Sequence, residues 1–145
     1  MVDLEQLLNL SGGKVEDKLK DSITEVKKEL SGLDVEQMCR VYSGHLHEKL
    51  RNRHVMCRLV DTSDFGVDYS HQFILVKDNS NYYLSDLTVK QFGNDEYLTE
   101  LLEKGYDKFD SVKWAYYLSK FYCYGAPPMN DIFDGSFKSS GRGSK

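Results

Sequence analysis

Cys39, His71 and Asp86 are the residues of this chain whose types, order and local settings combine into a chemistry. A thiolate can attack a carbonyl carbon, an imidazole can take and return the proton, and a carboxylate can hold the imidazole in the useful tautomer. Cys39 lies early in an amphipathic segment, where the partial positive charge of a helix start favours thiolate over thiol. His71 and Asp86 lie in HQFILVKDNSNYYLSDL, residues 71–87, two apolar runs around the polar cluster Lys77 to Asn81. Val, Ile, Phe and Tyr flanking Asp-Asn-Ser-Asn predict two antiparallel strands joined by a tight turn. Symmetry about the midpoint of Asp78 and Asn79 sets His71 opposite Asp86, where Cβ atoms roughly 4.5 to 5.5 Å apart let the carboxylate accept the ring N–H. Alternation then puts Phe73 and Leu75 on the face of His71, and Tyr82 and Leu84 on the face of Asp86.

The elements that must position these groups are readable from periodicity. Residues 2–10 are a short apolar-rich segment closed by Ser11-Gly12-Gly13. Val15, Leu19, Ile23, Val26 and Leu30 then recur at helical spacing between acids and lysines, and Gly32 ends that helix. Asp34 reads as the N-cap of a second helix, with Gln37 three residues on as a variant capping box, and Val35, Met38, Tyr42, Leu46 and Leu50 carry it to about Asn52. Residues 53–60, RHVMCRLV, predict a strand with Val55, Cys57 and Leu59 on one face. Residues 61–70 form a loop into the hairpin. Beyond it, Tyr97, Leu98, Leu101 and Leu102 mark a short helix ended by Gly105. A further helix around Val112, Ala115, Tyr116 and Phe121 is capped at Asp110 or Ser111 and stopped by Gly125-Ala126-Pro127-Pro128.

With 145 residues the chain has one domain's length and can bury its own core without metal or disulfides. A net charge of −4 and the lack of a basic stripe argue against nucleic acid as a partner. The three cysteines, Cys39, Cys57 and Cys123, form no CxxC pair, so neither a disulfide scaffold nor a structural zinc is expected. His45 and His47 do not share a helix face, so no metal site is expected there, and no cofactor is called for. The opening MVDLEQLLNL has acids and no basic n-region, and no apolar run reaches the roughly 18 residues of a membrane span. No signal peptide is therefore read in this chain, and the expected setting is a reducing cytosol.

The helix-borne Cys39, then His71-Gln-Phe-Ile-Leu-Val, then Tyr83-Leu-Ser-Asp86-Leu-Thr resembles the Cys-His-Asp pattern of the papain-like and transglutaminase-like superfamily. That group includes peptidases, glutamine deamidases, arylamine N-acetyltransferases and papain-fold domains of bacterial effectors and polymorphic toxins. The resemblance covers roughly Val35 to Phe92. It implies a papain-like core in which Cys39 is the nucleophile, His71 the base and Asp86 the orienting acid. The Cys39 backbone N–H and a neighbouring amide would be the oxyanion donors, with Gln37 or Gln72 assisting. An effector-type deamidase or peptidase fits best, because the chain lacks the glycine-rich approach of papain-type peptidases and the Arg-Gly-Gly-x-Cys approach of acetyltransferases. The partners so implied are a protein substrate and a cognate immunity or inhibitor protein, with delivery into a target-cell cytosol as the alternative setting.

Each residue alone has a plainer reading: Cys39 as a small core hydrophobe, His71 as a satisfied strand-end histidine, Asp86 as a turn cap. The aromatic run Trp114, Tyr116, Tyr117, Phe121, Tyr122 and Tyr124 reads as core and rim that could wall a substrate groove. The expected architecture is α+β, with N-terminal helices packed on an antiparallel sheet of three or more strands and short helices closing the far side. One papain-like domain spans 1–134, divided into an N-terminal helical segment (1–33), a catalytic core (34–92) and C-terminal helices (93–134), and 135–145 is a flexible tail. The functions to weigh are amide hydrolysis through a thioester, acyl transfer of the arylamine N-acetyltransferase or transglutaminase type, and a non-catalytic protein-interaction module.

Overall fold

The computed structural model describes residues 14–32, 39–66, 70–88, 96–121 and 127–134. In chain order these form α1 (Val15–Glu29), α2 (Cys39–Asn52), β1 (Cys57–Asp61), a 3-10 turn (Thr62–Phe65), β2 (Gln72–Asp78), β3 (Asn81–Ser85), α3 (Glu96–Lys104), β4 (Asp107–Phe109), α4 (Ser111–Ser119) and α5 (Met129–Asp134). The strands make one antiparallel sheet in the order β1-β2-β3-β4.

The sheet carries a core on each face. Strand β2 is buried on both sides, which is why its sequence is a continuous apolar run and not an alternating one. Phe73 and Leu75 join Leu84, Phe109, Leu98, Leu101, Trp114, Tyr117 and Phe121 under α3, α4 and α5. Ile74 and Val76 join Tyr83, Leu19, Ile23, Val26, Leu46 and Leu50 under α1 and α2. The expected arrangement, N-terminal helices on an antiparallel sheet with short helices across the far side, is what the chain adopts.

Several details depart from the sequence reading or refine it. The hairpin pairs Asp78 with Asn81 and Ile74 with Ser85, so the two-residue turn is Asn79-Ser80 and the register lies two residues along from the predicted His71–Asp86 pairing. Asn79 takes φ 56°, the left-handed region that Asn tolerates. Strand β1 starts only at Cys57, because the chain leaves α2 through a turn in which His54 has φ 60°. Val55 therefore packs with the helices, and Leu59, read as sharing its face, is 39% exposed on the sheet edge. Strand β4 was invisible in the sequence: Asp-Lys-Phe has no strand pattern, and pairing to β3 alone makes it one. A short helix, α5, follows the Pro127-Pro128 stop. Asp110 is the cap of α4, accepting the Lys113 N–H at 2.8 Å. The predicted segments 2–10 and 135–145, and the Asp34 cap with Gln37, lie outside the described residues.

Among the described residues, no helix is long and apolar enough to cross a membrane.

Candidate functional site

Cys39, His71 and Asp86 come together at one end of the sheet. Asp86 follows β3 directly and His71 immediately precedes β2, so both stand where the ladder opens. The two-residue shift in register leaves every side chain on its predicted face, because strand side chains alternate with period two. Asp86 therefore reaches His71 diagonally across the pair, and the His71 Nε2–H donates to Asp86 Oδ2 at 2.7 Å. Both residues are 1% exposed.

Asp86 is fully engaged. Its Oδ2 also accepts the Tyr117 hydroxyl at 2.5 Å, and its Oδ1 accepts the Thr88 N–H at 3.2 Å and the Thr88 hydroxyl at 3.3 Å. The Phe121 ring stacks on the imidazole at 5.1 Å between centroids and 20° between planes. The His71 backbone is pinned from the 3-10 turn, its N–H donating to Thr62 Oγ1 and its carbonyl accepting the Thr62 N–H, each at 2.9 Å. The imidazole thus has little freedom to rotate.

Helix α2 delivers the sulfur. One turn beyond Cys39, the Ser43 hydroxyl donates to the Gln72 carbonyl at 3.0 Å and fastens the helix to the start of β2. The neighbouring His71 imidazole is the largest influence on the Cys39 thiol and lowers its pKa. Burial opposes it, and the Gln72 backbone N–H and the imidazole charge add to the lowering. His71 moves the opposite way. Burial disfavours the imidazolium, but the Asp86 charge and hydrogen bond, with Cys39, outweigh it and raise the ring to about 9. A lowered thiol beside a raised imidazole is the electrostatic condition for a thiolate–imidazolium pair. Cys39 itself is buried, at 8% exposure.

Gln72 has another task than the one expected of its side chain. It lies buried on the opposite face of β2 from His71, and its amide donates to Asp61 Oδ2 at 3.1 Å. Its backbone N–H, not its carboxamide, is the group that bears on Cys39. Asp61 also accepts the Ser63 N–H at 2.9 Å, the Ser63 hydroxyl at 2.7 Å and the Ser70 hydroxyl at 2.6 Å, with Arg40 of α2 at 3.8 Å. Burial would push this carboxyl up, but the bonds from Ser70, Ser63 and Gln72 together hold it well below the usual range. The cluster locks α2, β1 and the start of β2 around Cys39 and His71.

Cys57, the other described thiol, has the contrary setting: burial pushes it up to about 11. Cys123 lies outside the described residues. Among those residues no cluster of His, Cys, Asp or Glu could hold a metal ion. The reading of the sequence had Asp86 as a cap of the turn before Thr88, and the Thr88 N–H does bond its Oδ1, but it gave Tyr117 no role beside Asp86. Thr88 was legible as the second residue after an Asp, the position a turn-forming carboxylate reaches. Tyr117 sits in an aromatic run where nothing local marks one ring as special.

Compared with known protein families, with curated proteins and with solved structures, the chain matches none of them.

Proposed function

We propose that the chain is a thiol-dependent acyl enzyme of papain-like type, acting on an amide of a target protein by glutamine deamidation or peptide cleavage. Cys39 is the nucleophile, His71 the proton carrier and Asp86 the orienting acid. The observation that carries this reading is the buried His71–Asp86 hydrogen bond with the Cys39 thiol in the field of the same ring, where the Cys39 and His71 pKa values move in opposite directions. The thiolate adds to the carbonyl carbon, and the imidazolium protonates the departing amine or ammonia as the C–N bond breaks. With Nε2 engaged by Asp86, Nδ1 is the nitrogen left to exchange that proton. The resulting thioester is then hydrolysed by a water whose proton returns to His71, releasing the acid and restoring the Cys39 thiolate beside the imidazolium. An amine in place of water gives acyl transfer from the same groups. In an effector setting the substrate is a protein of the target cell, and a cognate inhibitor protein would cover the site.

A second reading, a non-catalytic interaction module, draws on the burial of Cys39 and His71. Iodoacetamide separates the two. The enzyme predicts that Cys39 labels ahead of Cys57 at a pH below the ordinary thiol range of roughly 8.5, and that His71→Ala removes this preference. Slow labelling of all three cysteines in the native protein, with no preference for Cys39, would leave only the module.

A further inference from the structure

A cavity of about 520 Å³ opens where the end of α2 meets the start of β1, lined by His47, Arg51, Met56, Cys57, Arg58 and Phe133. A neighbouring cavity of about 360 Å³ shares His47 and Arg51 and adds Glu48. The charge here is unusual for a chain whose net charge is −4. Of the four arginines among the described residues, Arg40 pairs with Asp61 and Arg53 with Glu25. Arg51 and Arg58 pair with no acid among those residues, Glu48 included, although they face one another's field across the same space. Two groups in the lining register that field. His47 is lowered by burial and then by Arg51 and Arg58, and the same two guanidiniums pull against the burial that raises Cys57. Beside the cations lie Met56, 59% exposed, and the half-buried Phe133.

Two cations lining one cavity without an acid beside them among the described residues give it a positive potential, which a bound anion would offset. Guanidinium forks match the oxygens of phosphate and carboxylate, often with two parallel bonds. The apolar lining adds surface for whatever carries the anionic group. We propose that this cavity binds a small ligand bearing an oxyanion, phosphate or carboxylate, on an apolar or aromatic body. The site is separate from the Cys39 chemistry and does not depend on it.

Calorimetric titration at low ionic strength tests it with phenyl phosphate, benzoate, inorganic phosphate and neutral benzyl alcohol, against the full chain and its R51Q/R58Q variant. Both arginines are exposed, so the variant should fold, and its circular dichroism melt checks this. One saturable site is expected for phenyl phosphate or benzoate. Affinity should fall at least about tenfold in the variant, as expected for the loss of charge-assisted hydrogen bonds. The tighter of the two probes tells phosphate from carboxylate. The proposal is overturned by the absence of saturable binding, by equal affinity in the variant, or by benzyl alcohol binding as tightly as the anions. Inorganic phosphate matching phenyl phosphate would overturn the apolar half of the site.

Discussion

Asp86 divides its two oxygens between different partners, His71 and Tyr117 on one and Thr88 on the other, and this division restricts how the carboxylate can turn beside the imidazole. The pH behaviour follows from the two displaced groups. Thiolate appears as pH rises through the lowered Cys39 value, and the imidazolium is lost as pH passes about 9. The proposed amide-cleaving activity should therefore rise on the acid side below the ordinary thiol range and fall above about 9. Asp86→Asn removes the charge that raises His71 and leaves the burial that lowers it, so the alkaline limb should move down, which a pH–rate profile would detect. The His71 contribution to stability has the same sign: complete below its ordinary value of 6.5, lost as pH rises to about 9. Tyr117→Phe deletes one charge-assisted hydrogen bond to the buried carboxylate and should cost about 1.5–3 kcal/mol in urea unfolding.

Two glycines in or beside helices should respond to alanine in opposite directions. Gly105 ends α3 with φ 88°, and a Cβ there would come within 2.9 Å of Ile23 Cγ2 on α1. Its carbonyl also accepts the Ser85 hydroxyl at 2.6 Å, so the strained turn cannot relax freely. Gly105→Ala should destabilise by about 1–3 kcal/mol. Gly44 lies inside α2, is exposed, and has open space where a Cβ would stand, with no neighbour within 4 Å. Gly44→Ala should stabilise by up to about 1 kcal/mol, since helix propensity alone changes. The Asp61 cluster does at the start of the sheet what Gly105 does at the α3–β4 junction, holding separate elements in register. Asp61→Ala leaves the buried Gln72 amide without its acceptor and removes the one carboxylate that Ser63 and Ser70 share, and should cost about 1–3 kcal/mol. Thermal melts of the three variants would rank them.

The sheet is shared by both cores, so neither helical layer can lose its packing without exposing β2. Leu75 and Ile74 point to opposite faces and are both fully buried. Truncating either to alanine should cost about 2–5 kcal/mol. Trp114, the one tryptophan, reports on the α3–α5 side, while α1 and α2 supply much of the helical circular dichroism. The two signals should melt together, and they should stay coincident in Leu75→Ala and Ile74→Ala. Separate transitions would mean the layers fold independently.

The periodicity of α1 and α2, the hairpin and the choice of Cys39, His71 and Asp86 were legible because each rests on local pattern: helical spacing, apolar runs around a polar turn, a thiol early in a helix. Face assignment survived an error in register because strand alternation is insensitive to a shift of two. Strand β4, the late start of β1, the Asp61 anchor of Gln72 and the bond from Tyr117 were not legible. Each depends on residues distant in the chain being brought into contact: Lys108 becomes strand only beside Tyr83, and Tyr117 differs from its aromatic neighbours only because Asp86 lies within reach. Residue types and spacing could single out Cys39, His71 and Asp86 as candidates. Only packing from both faces of one sheet selected the hydroxyl, amide and carboxylate that hold those groups in place.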